Sequence, residues 1–208
     1  MPFREGPAAK TVKAIHPLWQ QDFYEMNQKV VSLGRTFYIR DASKNLIGYC
    51  EGSYLKLKDE FHIYGDENKN EELLQIKQEQ MMDVWGNFAV RDMSTGALAG
   101  YLKRDFVGSW FITDKWNLRQ PDGSDLGLLS EPSASYAFFR RMFGVLPMKF
   151  EIFIRGGGGA NIKLERKFIT LGTWYIDCRG DPRRVIDRRL VLAGVILLEA
   201  VEKAHEDR

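Results

Sequence analysis

The chain has 208 residues, 44% hydrophobic and 28% charged, close to globular averages and enough for one packed core. Thirty Lys and Arg stand against 28 Asp and Glu, and a net charge of +2 excludes the strongly basic balance of a nucleic-acid footprint. Cys50 and Cys178 lie far apart and form no CxxC, which points to a reducing, cytoplasmic compartment with neither cysteine obliged to pair.

The opening stretch, MPFREGPAAKTVKAIHPLW, has no continuous apolar core of the signal-peptide kind, about 7 to 15 residues long, and Pro2 breaks the myristoylation pattern. Pro2, Gly6, Pro7 and Pro17 among scattered polar residues predict a loosely ordered lead-in over 1–20, with a single domain over 21–208.

From there short runs alternate apolar and polar residues between turn residues, the signature of half-buried strands. TFYIRDASKNLIGYCEG reads as a hairpin turning through Asp41 to Asn45. The same grammar returns in HIYGDENKNEELLQIKQE, in AVRDMSTGALAGYLKR and at the opening of FITDKWN, with turn aspartates at Asp41, Asp66, Asp92 and Asp114. It behaves as an internal repeat, because a turn-initiating Asp bonds the backbone two residues on and a later Gly or Asn supplies positive φ.

KFEIFIR, GGGG and ANIKLERK form another hairpin. A phosphate-cradling loop needs GxxxxGK[ST] leading from a strand into a helix, whereas Gly156 to Gly159 lead into strand alternation at Asn161, Ile162, Lys163 and Leu164. The segment SEPSASYAFFRRMFG predicts one short amphipathic helix, with Ser130 or Ser133 as cap and Tyr136, Phe139 and Phe143 on one face. GTWYIDC is a further strand, with Trp174, Ile176 and Cys178 on one side.

The last element is LVLAGVILLEAV, residues 190–201, apolar all round except for Gly194 and Glu199. A membrane span needs about 17 to 25 such residues, so no transmembrane span is expected. A helix apolar on every side must be surrounded by protein. Asp187, or Asp181 followed by Pro182, marks its start. The fold expected is mainly β: a closed antiparallel β-barrel of about twelve strands around a central hydrophobic C-terminal α-helix at about 187–205, plus the short amphipathic helix. Glu199 is expected to pair with one of the arginines ahead of the helix or to reach the open end, since an unpaired buried carboxylate is costly.

The order of these motifs carries a resemblance. FYIRDASKNLIGYCEG and FAVRDMSTGALAGYLKR, then WYID and the terminal IDRRLVLAGVILLEAV, resemble the LURP-one-related and phospholipid scramblase-like proteins, which share the tubby C-terminal fold; the likeness covers residues 22–204. It implies a twelve-stranded barrel around a central hydrophobic helix, in a superfamily with phosphoinositide binding at membranes and a proposed lipid-scrambling role. Scramblase-like chains carry an acidic calcium run before the helix and a Cys-rich acylation stretch. Here the approach is WYIDCRGDPRRVID, where Asp177, Asp181 and Asp187 alternate with arginines and are expected to form ion pairs with them rather than to bind calcium.

No catalytic residue, metal or cofactor is expected. His16, His62 and His205 are scattered, no GxSxG elbow occurs, and His62 in EFHIY reads as an outward or pocket-lining strand residue. Three basic clusters are candidates for an anion or lipid headgroup: Lys103 and Arg104; Arg140 and Arg141; and Arg179, Arg183 and Arg184, which continue into Arg188 and Arg189. Against each stands a structural role, since strand doublets split one to each face and the third cluster can neutralise the aspartates and close the barrel end. The first expected function is a non-catalytic module binding anionic phospholipid or phosphoinositide headgroups, cytoplasmic and in peripheral contact with a membrane. The alternative is a soluble scaffold or regulatory protein-interaction domain of LURP-one-related type with no lipid role. A nucleic-acid regulator comes last, because aromatic residues interleaved with cations are not evident along the chain.

Overall fold

A computed structural model describes residues 15–29, 35–53, 60–79, 86–105, 115–132, 148–159, 161–167 and 172–206. Twelve strands run in chain order: β1 (Phe23–Gln28), β2 (Arg35–Arg40), β3 (Leu46–Ser53), β4 (Glu60–Tyr64), β5 (Glu72–Gln78), β6 (Asn87–Asp92), β7 (Leu98–Asp105), β8 (Lys115–Arg119), β9 (Asp125–Ser130), β10 (Met148–Ile154), β11 (Asn161–Arg166) and β12 (Thr173–Asp177). A 3-10 turn (Pro17–Gln20) precedes them and the helix α1 (Arg188–Glu206) follows. Each strand pairs antiparallel with its neighbour in sequence, and β1 pairs with β12 through Phe23 opposite Asp177, so the sheet closes into a barrel with no free edge. The twelve-stranded closed barrel with one helix is the architecture expected from the alternation.

The helix fills the lumen. Every residue from Leu190 to Ala200 is buried, and α1 packs among inward side chains such as Phe37, Phe61, Leu102, Ile152 and Ile176. Asp187 is its N-cap: the Arg189 N–H donates to Asp187 Oδ1 at 2.9 Å, and the Asp187 carbonyl accepts from Leu190.

The β2–β3, β4–β5, β6–β7, β8–β9 and β10–β11 turns all lie at one end, here called the turn end, where β12 also ends and α1 begins. Asp41 accepts from the Ser43 and Asn45 N–H groups, Asp66 from Asn68 and Asp92 from Thr95, as the repeat predicts. In the fourth hairpin that role falls to Asp122, whose carboxylate accepts from the Ser124 N–H at 2.8 Å; Asp114 lies outside the described residues.

The repeat goes deeper than its turns. In each of the first four hairpins the register slips once just beside the turn, opposite Arg40, Tyr64, Arg91 and Arg119, leaving one extra residue in the second strand. These bulged residues are Ile47, Leu73, Ala99 and Leu126, spaced 26, 26 and 27 apart, and all four pack against the core. The bulges bend apolar side chains over the barrel rim. Gly100 follows one of them at φ +151°, where any Cβ would overlap the carbonyl oxygen of Arg119.

One expectation changes. Residues 15–20 are not loose: Leu18 and Trp19 are buried, and the Leu18 carbonyl accepts from the Tyr24 hydroxyl at 2.8 Å. Residues 1–14 lie outside the described residues, as do 133–147, and with them almost all of the segment expected to form the short amphipathic helix; Ser130 itself ends β9.

Candidate functional site

Two segments close the turn end over the start of α1. The lead-in, residues 15–22, crosses the first two hairpins: a Cβ at position 48 would stand 3.2 Å from Leu18, and one at position 65 would stand 3.7 Å from the His16 ring. The 178–187 loop crosses from β12 in the other direction. A Cβ at Gly180 would overlap the Asn161 carbonyl, so the loop lies hard against β11, and Ile186 reaches Gly127 of β9.

Asp181 holds this loop together. Its Oδ1 accepts from the Val185 N–H (2.9 Å) and its Oδ2 from the Ile186 N–H and from Arg188 (both 3.0 Å). Arg188 also donates to the carbonyls of Asp181 and Ile186 and to Asp22. An arginine and an aspartate each 2% exposed are stable only when hydrogen-bonded this fully.

The predicted headgroup residues fare differently from one another. Arg179 forks onto Asp177 with Nε–Oδ1 2.9 Å and Nη2–Oδ2 2.7 Å, and that fork is the first reason the Asp177 carboxyl lies below the usual range. Arg184, at φ +53°, donates to the carbonyls of Trp19 (3.0 Å) and Gln20 and reaches Asp22 at 3.1 Å, tying the two closing segments together. Arg189 binds Asp187 and also Asp92 of the third turn, at 2.6 Å each. Arg183 is exposed and makes no ion pair among the described residues. The expected pairing of Asp177, Asp181 and Asp187 with arginines is present, and it occupies most of the cluster.

Lys103 and Arg104 do not join it. They end β7 beside Gly86 and Asn87, at the end opposite the turns. The doublet splits across the sheet: Leu102 faces the lumen, so Lys103 points outward, and Arg104 returns inward with its guanidinium 5.9 Å from the centre of the Trp116 ring. Arg140 and Arg141 lie outside the described residues.

Glu199 is paired with a different cation from those expected. Its Oε2 accepts from Trp174 Nε1 at 2.7 Å and its Oε1 meets Arg166 of β11 at 3.2 Å. Twelve helical residues carry Glu199 about 18 Å from Asp187, out of reach of the arginines at the turn end.

His62 is outward-facing, as read from the alternation, with Nδ1 2.8 Å from Glu72 and Nε2 3.5 Å from Glu60. The outer wall also assembles what the chain does not display in order. Tyr38, Tyr49 and Tyr64 are direct cross-strand neighbours, Lys29 and Arg40 each stand 5.9 Å from the Tyr38 ring, and Lys167 stands 4.6 Å from Tyr175. Aromatic–cation interleaving therefore does exist, created by strand pairing between residues distant in sequence. The rings of Tyr38 and Tyr175 already carry the chain's own cations, which leaves little open face for a base to stack on.

The feature that sequence reading missed is a concavity of about 410 Å³ between the two closing segments. One wall is Ile15, Trp19 and Gln20; the other is Ala99, Gln120, Pro121 and Leu126; residues 184–189 form the floor. Ile15 is 68% exposed and Val185 43%, large apolar side chains left in water on either side. The available signal was the repeat, since Ala99 and Leu126 occupy the positions that Ile47 and Leu73 hold in the first two hairpins. Among the described residues no group of three or more His, Cys, Asp or Glu is placed to hold a metal ion, and no helix is long and apolar enough to cross a membrane. Both cysteines are free and buried, and burial pushes the Cys178 thiol up to about 12 and the Cys50 thiol higher still. No family model, no curated protein and no solved structure matches the chain.

Proposed function

We propose that the chain is a non-catalytic binding module of the cytoplasm, and that the protein-interaction reading, a scaffold or regulatory domain of LURP-one-related type, fits the turn end better than headgroup recognition. One observation carries this. Four of the five arginines at or just before the start of α1 are held by aspartates or carbonyls of the same chain, while the same end leaves a concavity flanked by the exposed apolar side chains of Ile15 and Val185. An anion held at a surface needs several cations with donors to spare, and guanidiniums already clamped by carboxylates have few. The closed barrel around a buried helix supports placing the chain with the LURP-one-related and scramblase-like proteins.

Headgroup binding keeps one observation of its own: Arg183 and Val185 are both exposed and only two residues apart, a cation beside an aliphatic side chain at a potential membrane interface. Two measurements on the full chain separate the readings. Protein partners that survive detergent and high salt are expected, with no sedimentation on phosphatidylserine or phosphoinositide vesicles. Sedimentation that is strong at low ionic strength and lost in salt reverses the order.

A further inference from the structure

We infer that the barrel end opposite the turns holds a binding site for a small aliphatic carboxylate, clamped between the indole of Trp116 and the guanidinium of Arg104. The site lies at the other end of the molecule from the concavity and does not depend on the protein-interaction reading. The chain builds the same Arg–Trp pair twice. Leu164-Glu165-Arg166 of β11 and Trp174-Tyr175-Ile176 of β12 lie side by side, with Leu164 opposite Ile176 and Arg166 opposite Trp174. Leu102-Lys103-Arg104 of β7 and Trp116-Asn117-Leu118 of β8 repeat the arrangement, with Leu102 opposite Leu118 and Arg104 opposite Trp116. Both indoles and the four aliphatic side chains are buried.

In the first pair a carboxylate of the chain joins the two donors: Glu199 accepts from Trp174 Nε1 at 2.7 Å and meets Arg166 at 3.2 Å. In the second, the Arg104 guanidinium stands 5.9 Å from the centre of the Trp116 ring, but Trp116 Nε1, on a side chain 1% exposed, has no hydrogen-bond partner. A buried N–H without an acceptor is costly, and native structures seldom keep one. A guanidinium carries five N–H donors, so Arg104 can serve a carboxylate alongside its other contacts, as Arg166 serves Glu199 while reaching Met148 Sδ at 3.9 Å. Phe88, its ring 5.8 Å from the indole, and Leu129, opposite Trp116 on β9, make the surroundings apolar, which suits a carboxylate on a short aliphatic chain.

The test is fluorine NMR of the full chain labelled with fluorotryptophan and titrated with butyrate and octanoate, with chloride at equal ionic strength and uncharged butyramide as controls. The Trp116 signal is identified by its loss in Trp116→Phe, or in Trp116→Tyr if the first does not fold. It should shift saturably with the carboxylates and stay in place with both controls, and Arg104→Gln should weaken the binding by about tenfold or more. The Trp174 signal should not move, since Glu199 already occupies that indole. A Trp116 signal that ignores both carboxylates, that answers chloride or butyramide equally, or that titrates as tightly in a folded Arg104→Gln overturns the inference. So does a signal displaced by Glu131→Gln without any added carboxylate, because Glu131, buried two residues beyond Leu129, is then the acceptor. The comparison of butyrate with butyramide is made on wild-type protein, so it decides even where Arg104→Gln fails to fold.

Discussion

Trp174 donates its indole N–H to Glu199 at 2.7 Å, joining the barrel wall to the central helix by a hydrogen bond between two fully buried side chains. Arg166 completes the charge balance from the neighbouring strand. Removing the carboxylate leaves the indole N–H unsatisfied and takes one ion pair from Arg166, and a buried unsatisfied donor costs about 1 to 3 kcal/mol. Glu199→Leu is expected to lower the denaturant midpoint by that order, and Glu199→Gln by less, because an amide oxygen can still accept from Trp174. Equal losses in the two variants would show that the hydrogen bond contributes little.

Leu197, 1% exposed, lies in the middle of the filled lumen. Leu197→Ala should cost about 2 to 5 kcal/mol, against a total stability of about 5 to 15 kcal/mol, and lower the melting temperature clearly. Leu197→Asp, or removal of the chain from Asp187 onward, should abolish cooperative folding altogether. A folded Leu197→Asp protein that had merely lost membrane association would make α1 an exposed anchor and contradict its burial.

The Arg188–Asp181 pair invites a double-mutant cycle. Breaking a buried ion pair from one side costs about 3 to 5 kcal/mol, because the other charge stays buried without its partner. Arg188→Met and Asp181→Asn should each be strongly destabilising, and together less so than the sum of the two. Additive losses would mean that the two residues act separately, Asp181 through the Val185 and Ile186 N–H groups alone.

Acid should unfold the protein through its turn-end aspartates. Burial opposes ionisation of Asp92, but hydrogen bonds from Ser94, the Thr95 N–H and Arg189 outweigh it and hold the carboxyl below the usual range. Asp177 is lowered by Arg179, Asp41 by Asn45 and Asp122 by the Ser124 N–H. For a carboxyl lowered on folding, the stabilisation is present above the unfolded value of about 3.9 and is lost as pH falls through the folded value. Urea midpoints should therefore hold steady from about pH 7 to pH 5 and fall below about pH 4, and the Asp92→Asn and Asp177→Asn variants should fall less steeply. An unchanged slope in both variants would assign the acid transition to other carboxyls.

Four of the five hairpins and the central helix, with Asp187 as one of two starts, were legible in the sequence because each is written within a few residues: alternation of period two, Asp-started turns, and an apolar run too short for a membrane. The fourth turn was expected at Asp114 and is made by Asp122, because turn spacing alone does not say which aspartate lies between paired strands. A helix greasy on all sides also dictates that something encloses it. Even the Arg–Asp pairing at the turn end could be anticipated, since those charges alternate within one short segment. What tertiary structure decided lies between residues that only register and closure bring together. Strand pairing put Lys29 and Arg40 beside Tyr38, and the pleat sent Lys103 and Arg104 to opposite faces at the end away from the other arginines. The length of α1, not its composition, gave Glu199 to Arg166 rather than to an arginine of the approach. The concavity depends on which bulged residues the lead-in covers: Ile47, Leu73, Ala99 and Leu126 repeat in the chain, yet Leu18 and His16 pack over the first two hairpins, and Ala99 and Leu126 are left to line the opening. A one-dimensional pattern specifies what each segment must bury, and the path of the chain across the barrel end decides where that burial stops short.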